Sequence, residues 1–138
     1  MLDDLTNLQS LLKDPTLVAT KGYLAGEWCE GDNAQTFPVY NPARGDIIAD
    51  VSDISRAQTA EAISIAEKAQ KIWADRPAKE RSNIMRIWYN LMMENQEDLA
   101  TILTAEQGKP LEEAKGEIGY GASFIEFFAE EAKRIYGE

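Results

Sequence analysis

Residues that could act as nucleophiles, acids or bases are scarce in this chain of 138 residues, which has no His and a single Cys, Cys29. The lack of His excludes a thiolate–imidazole zinc site and a Ser–His or Cys–His nucleophile pair within the chain. Cys29 lies between Glu27 and Glu30, and neighbouring negative charge disfavours the reactive thiolate. We therefore interpret Cys29 as a structural or incidental thiol.

Paired carboxylates and clustered glycines are the next candidates. Glu112–Glu113 and Glu130–Glu131 are adjacent pairs, so on a helix the two side chains of each pair diverge instead of forming an acid–base couple. Gly116, Gly119 and Gly121 have the order GxxGxG, and no strand precedes them. A dinucleotide fingerprint needs the order GxGxxG between a strand and a helix N-terminus. We expect these glycines to allow close helix packing.

An aromatic cluster follows in the same stretch. Tyr120, Phe124 and Phe127 are spaced i, i+4 and i+7, which places them on one helix face. The opposite face carries small and branched apolar residues: Ile118, Ala122, Ile125 and Ala129. A helix that is apolar on both sides is buried on both sides or borders a cavity. The aromatic face is thus either plain core or one wall of a small-molecule pocket.

Composition and charge narrow the class of protein. The chain has 14 basic and 24 acidic residues, a net charge of −10, and is 44% hydrophobic. This composition is typical of one globular domain, and the negative charge argues against binding to nucleic acid or to an anionic membrane. No apolar run is long enough to span a bilayer. A single Cys suits a reducing compartment, so we expect a cytoplasmic protein.

The hydrophobic pattern divides the chain into three parts. Residues 1–20 predict an N-terminal helical arm, with leucines of residues 2–13 at helical spacing before Pro15. Residues 21–52 predict a small antiparallel β region in which Asn41–Asp46 form a turn. Residues 55–136 predict four helices, the first opened by a capping box of Ser55 and Gln58.

The later helices carry further signals. Asn95 is expected to cap the third helix and Gly108 to end it, and the fourth is expected to continue to about Tyr136. The first helix is expected to present one apolar face, formed by Ala62, Ala66, Ala69 and Trp73. The second is expected to turn five large apolar residues inward: Ile84, Ile87, Trp88, Leu91 and Met92.

Residues 103–137 closely resemble the aldehyde dehydrogenase superfamily, through the run Leu-Thr-Ala-Glu-Gln-Gly-Lys-Pro-Leu-Glu-Glu-Ala-Lys-Gly-Glu-Ile and its continuation to Gly137. Within the superfamily, the run is most similar to NAD(P)-dependent succinate-semialdehyde dehydrogenases. Supporting elements are Gly26–Trp28, Tyr40–Ala43 and Ile72–Ala74. The resemblance implies an α/β parent fold, of which this chain supplies a mostly helical portion with a small antiparallel β region.

The resemblance also implies what is missing. Family members are several hundred residues long, and residues 21–138 match only the first part of their cofactor-binding domain. The Rossmann core, the catalytic domain, the nucleophilic Cys, the general-base Glu and the oxyanion-hole Asn have no counterpart here. We therefore expect an N-terminal fragment of a longer enzyme that uses NADP or NAD, with no catalytic or cofactor-binding residue of its own. The fragment alone is expected to be inactive.

Two sites carry over from the family residue by residue. The last helix of this segment borders the substrate tunnel in the family, so the resemblance implies that Tyr120, Phe124 and Phe127 wall it. Some members hold a monovalent cation against main-chain oxygens before the Asn-Pro motif and a carboxylate before Gly-Lys. The matching residues here are Val39, Tyr40 and Glu106.

Alternative interpretations remain open. The chain could be a stand-alone acidic helical module that docks onto a partner without enzymatic activity, or part of a glutarate-semialdehyde or other aldehyde dehydrogenase. We expect the parent enzyme to bind a small aldehyde as its substrate, and we expect it to bind neither nucleic acid nor a membrane. Since a fragment of a larger core exposes apolar surface, we expect the chain to self-associate.

Overall fold

The computed structural model describes residues 8–134. Within this range, two hairpins precede four helices, in the order β1 (Gly22–Leu24), β2 (Glu27–Cys29), β3 (Thr36–Tyr40), β4 (Ile47–Ser52), α1 (Arg56–Ala74), α2 (Ala78–Glu94), α3 (Gln96–Gln107) and α4 (Leu111–Glu131). This arrangement confirms the predicted fold class of a mostly helical chain with a small antiparallel β region.

Each hairpin is a separate two-stranded antiparallel sheet. In the first, Ala25 and Gly26 both have positive φ, at 54° and 91°, as a tight two-residue turn between right-twisted strands requires. Tyr23 pairs with Trp28 across this hairpin, and their ring centroids are 4.9 Å apart. The register of the second hairpin shifts between Val39 and Tyr40, which marks a β-bulge.

The N-terminal arm differs from the predicted helix over residues 2–13. Its described part contains a 3-10 turn at Leu8–Leu11 and a second at Pro15–Leu17, while residues 2–7 lie outside the described range. A short helix is marginal in water, so the contacts of the arm with α3 decide its conformation. Leu8 and Leu12 are buried, as the leucine spacing suggested.

Helix α1 begins as predicted but is not covered by the rest of the described chain. The Ser55 hydroxyl accepts a hydrogen bond from the Gln58 amide, and the Gln58 side-chain oxygen accepts one from the Ser55 amide. This reciprocal pair confirms the capping box. No residue of α1 is buried, so its predicted apolar face around Ala66 and Trp73 lacks a full partner surface here. Local capping therefore defines where this helix begins.

The helical core is a seam of alanines where α2 and α3 pack against α4. Ala100 on α3 and Ala114, Ala122 and Ala129 on α4 have no exposed surface. Small side chains let helix backbones approach closely. This seam confirms that the Ala122–Ala129 side of α4 faces inward.

The prediction for α2 was wrong in its direction. Ile84, Ile87, Trp88 and Leu91 are 43–59% exposed and only Met92 is partly covered. Helical spacing shows that a face is apolar, but it does not show which surface covers that face. In the described chain, α2 packs on α4 through its other side, and the large apolar residues face outward.

Two local predictions on the later helices were also wrong, and a third was right only in position. Asn95 is at the N-cap of α3, but its side chain donates to the Leu91 carbonyl, 2.8 Å away, and makes no capping hydrogen bond. Helix α4 ends at Glu131 and not near Tyr136, two residues after its last buried alanine. Space is open around Gly116 and Gly121, so they mark no close approach; a β-carbon at Gly119 would lie 3.5 Å from Nε2 of Gln96. Gly108 does end α3, with a φ of +79°.

An ion-pair cluster ties α2 to α4. Arg86 donates to Glu126 and to Glu130, both at 2.6 Å, and its guanidinium lies 5.5 Å from the centroid of the Tyr89 ring. Lys133 also binds Glu130, at 2.7 Å. The hydrogen bonds from Lys133 and then Arg86 hold the pKa of Glu130 below its ordinary value of 4.5.

Acid should therefore weaken this cluster. Because the pKa of Glu130 is lower in the folded chain than in the unfolded chain, its stabilising contribution is full above pH 4.5 and disappears as the pH falls through the folded value. We expect the free energy of unfolding to fall less between pH 6 and pH 3 in Glu130→Gln than in the parent, measured by urea titration. Glu61→Gln, at an exposed site on α1, should keep the parent's slope, and equal slopes in all three proteins would contradict the assignment.

Candidate functional site

The aromatic side chains of α4 form an exposed wall and not a core. Tyr120, Phe124 and Phe127 are 66%, 48% and 56% exposed. Their shared face is the one that points away from the alanine seam. Within the described residues, this face is therefore exposed and is not part of the core.

Ring packing gives this wall a fixed shape. Tyr120 and Phe124 stack edge to face with centroids 4.9 Å apart, and Phe127 and Phe128 do so at 5.2 Å. Phe124 and Phe127 line a surface depression of about 690 Å³, which also includes Glu126 and Arg134. The volume falls within the range of small-molecule sites, and its walls in the described chain come from α4 and the turn that follows.

The three residues predicted to bind a cation lie on β3 and α3. Val39 pairs with Ala49 and Tyr40 with Ile47, so the extra residue of the β-bulge is Ile48 on β4, and Glu106 is exposed on the last turn of α3. Gly108 brings the two elements together, since a β-carbon there would lie 2.9 Å from Cγ of Pro42. The structure thus places the three residues on neighbouring elements, two to three residues from this contact.

The loop between β3 and β4 is held rigidly beside α3. The Asn41 side chain accepts hydrogen bonds from the amides of Ala43 and Arg44, at 2.9 and 3.2 Å. Arg44 forms a bidentate pair with Asp46, both contacts being 2.8 Å, and this hydrogen bonding lowers the pKa of Asp46. These contacts confirm the turn that the sequence predicted for Asn41–Asp46.

Two absences bear on the chemistry of the described part of the chain. Residues 8–134 contain no group of three His, Cys, Asp or Glu side chains placed to hold a metal ion. In the same range, no helix is long and apolar enough to cross a membrane.

Two features escaped the sequence analysis. Asp98 is buried, at 4% exposure, and accepts hydrogen bonds from the N-terminal arm; in sequence it is an ordinary acidic residue in a first helical turn. Arg86 joins two helices, and the only sequence signal for it is the i, i+4 spacing of Glu126 and Glu130 on the partner helix.

Comparison with known proteins defines the class. The profile of the aldehyde dehydrogenase family matches residues 28–138. A glutarate-semialdehyde dehydrogenase from Pseudomonas putida is 56% identical over 127 residues, and an NADP-dependent succinate-semialdehyde dehydrogenase from Escherichia coli is 50% identical over the same length. Each alignment covers 92% of this chain and 26% of the relative.

Solved structures agree. The crystal structure of succinate-semialdehyde dehydrogenase from Burkholderia pseudomallei superposes with a TM-score of 0.88 at 50% identity, over 92% of this chain and 26% of that one. This chain belongs to the aldehyde dehydrogenase family, and its similar relatives include semialdehyde dehydrogenases. It spans about a quarter of the length of these relatives.

Proposed function

We propose that this chain is the N-terminal part of an NAD(P)-dependent semialdehyde dehydrogenase that oxidises succinate semialdehyde to succinate. The observation that carries the proposal is the 50–56% identity over 127 residues to enzymes named for this class of substrate. The uncovered aromatic wall of α4 also supports it, because a tunnel for a short aldehyde needs such a surface.

The chain by itself is proposed to be inactive. In the whole enzyme, by resemblance, a Cys thiolate attacks the aldehyde carbon, donors stabilise the oxyanion, and a Glu-activated water hydrolyses the resulting thioester. Bound NADP or NAD would accept the electrons of the oxidation. Cys29 lies on β2, in the segment of the fold that does not carry the nucleophile in this family.

The three glycines of α4 do not form a dinucleotide site. Gly116, Gly119 and Gly121 lie within α4, where backbone N–H groups are engaged in the helix and none is free to hold a phosphate. We therefore assign this chain no role in binding the cofactor. Its role is to supply one wall of the substrate tunnel.

Glutarate semialdehyde is the second candidate substrate. It is favoured by one observation, the higher identity of 56% to an enzyme named for it. The two substrates differ by one methylene, a difference that a hydrophobic site distinguishes by roughly 10–200-fold in rate. A direct comparison of kcat/KM for the two semialdehydes would separate them.

We also propose that the carbonyls of Val39 and Tyr40 and the carboxylate of Glu106 hold a monovalent cation. The support is chemical and positional: hard oxygen donors suit such an ion, Val39 and Tyr40 lie beside the register shift of the second hairpin, and the C-terminus of α3 favours positive charge. The ion would bridge the second hairpin and α3 and so hold these two elements in position relative to each other.

The test of the proposed function compares the chain alone with the chain restored to full length. We expect no NADPH or NADH from the 138-residue protein with succinate semialdehyde and either cofactor. We expect dehydrogenase activity when the same residues replace the matching segment of the Escherichia coli relative. The unmodified relative provides the reference rate. Activity of the isolated chain, or a folded chimera without activity, would contradict the proposal.

A further inference from the structure

A cavity of about 310 Å³ lies between the N-terminal arm, the β3–β4 loop and α3, away from the aromatic wall of α4. The arm contributes Leu8 and Leu11, the loop contributes Ala43 and Arg44, and α3 contributes Thr104. The hydroxyl oxygen of Thr104 is buried and has no hydrogen-bond partner within the described structure. The arm therefore covers one side of a space that is largely apolar.

Asp98 holds the arm in place. Its Oδ1 accepts a hydrogen bond from the Lys13 amide at 3.1 Å, and its Oδ2 accepts one from the Asp14 amide at 2.8 Å. The residue is 4% exposed, and a buried carboxylate is costly unless it is hydrogen-bonded. The two amides therefore stabilise the buried carboxylate, and the carboxylate holds the backbone of Lys13 and Asp14 in place.

The regular structure of the arm is short. Its 3-10 turn spans only Leu8–Leu11, with a 3.3 Å bond from the Leu12 amide to the Gln9 carbonyl, and such turns are not stable in isolation. Leu8 and Leu12 are buried by tertiary contacts. Tertiary contacts, the Asp98 anchor among them, therefore hold the arm in this conformation.

The anchor is distinct from the contacts that join α3 to α4. In the same helical turn, Gln96 donates to the Lys115 carbonyl at 3.0 Å and Glu97 binds the Lys115 ammonium at 2.9 Å. The first turn of α3 therefore uses two residues to bind α4 and a third, Asp98, to bind the arm.

We propose that residues 8–14 form a strap that covers one side of the cavity beside Thr104, and that Asp98 is the positioning residue that latches it. When the latch is broken, the strap detaches while α3 remains packed on α4. Thr104 and the rest of the cavity then become more exposed to solvent. This device is independent of the proposed dehydrogenase function, since it needs only the arm, the loop and α3.

The test combines amide exchange with thiol labelling in the 138-residue protein. In Asp98→Asn, one carboxylate oxygen is replaced by an NH2 group that cannot accept a hydrogen bond. We expect hydrogen exchange at the Lys13 and Asp14 amides to rise about tenfold or more, the effect of losing a bond to a charged group. Glu97→Gln, one residue away and directed at α4, should leave both amides at the parent rate.

Closure of the cavity is read out at Thr104. In a Cys29→Ser background, the thiol of T104C should react slowly with a maleimide, and adding D98N should raise that rate about tenfold. Unchanged exchange and labelling in D98N would overturn the latch. If D98N does not fold, the parent decides: Lys13 and Asp14 amides that exchange at the rate of an unstructured chain would overturn the proposal, and protected amides would support it.

Discussion

Replacing Phe127 by Ala in the full-length chimera should lower kcat/KM for succinate semialdehyde by about tenfold or more and shift preference toward the longer glutarate semialdehyde. The expectation rests on the proposed tunnel wall. Phe127 is 56% exposed on the outward face of α4 and lines the depression beside Phe124. Removal of the ring would leave space that a short substrate does not fill, and each methylene-sized mismatch changes the rate by roughly 10–200-fold.

A matched substitution separates this effect from loss of apolar surface. Phe37 on β3 is 49% exposed, similar to Phe127, but lies on the second hairpin and not on α4. Phe37→Ala should keep the parental KM and the parental ratio of the two substrates, measured by steady-state kinetics. The tunnel assignment would be wrong if Phe127→Ala left KM and chain-length preference unchanged.

Local chemistry made much of the fold predictable. The capping box at Ser55 and Gln58, the turn at Asn41–Asp46 and the left-handed stop at Gly108 each depend on residues within a few positions of one another. Their geometry is set by steric limits and hydrogen bonds of the segment itself. For this reason the β region and the start of α1 lie where the sequence predicted them.

Nonlocal packing made the rest unpredictable. Trp88 and Ile84 have the spacing of a core-facing stripe, yet they are exposed. The sequence of α2 determines that this face is apolar, but it does not determine which other element packs against it. Ala114 and Ala129 show the opposite mismatch between sequence and burial. Alanine is a common helix former and gives no strong core signal, yet both residues are fully buried. Asp98 could not be recognised as an anchor because its partners lie 84 and 85 residues earlier in the chain.

The candidate site followed the same division. The shared face of Tyr120, Phe124 and Phe127 could be derived from spacing alone, and the rings do lie on the side opposite the alanine seam. Whether that face borders core or cavity depends on polypeptide that the described residues do not contain. The relatives are about four times as long as the part that aligns with them, and their remaining sequence is the surface that we propose covers these residues.

We infer that this chain carries apolar surface shaped for polypeptide outside it. The surface concerned, here named the uncovered helical surface, consists of Ile72 on α1 and Ile84, Ile87, Trp88 and Leu91 on α2, which are 43–66% exposed. Ile72 and Ile84 also line one shared depression between the two helices. Without that polypeptide, burial against a second copy would stabilise the chain, since about 25 cal/mol is gained for each Å² of apolar area removed from water.

Light scattering of the purified chain at high concentration tests this claim most directly. We expect a mass at least twice the 15.4 kDa of one chain, and a return toward one chain in Trp88→Glu, which places a charge within the uncovered helical surface. Trp28→Glu, at a Trp of similar exposure on the first hairpin, should keep the parental mass. A single-chain mass for the parent at every concentration, or equal masses in the parent and in Trp88→Glu, would contradict the claim.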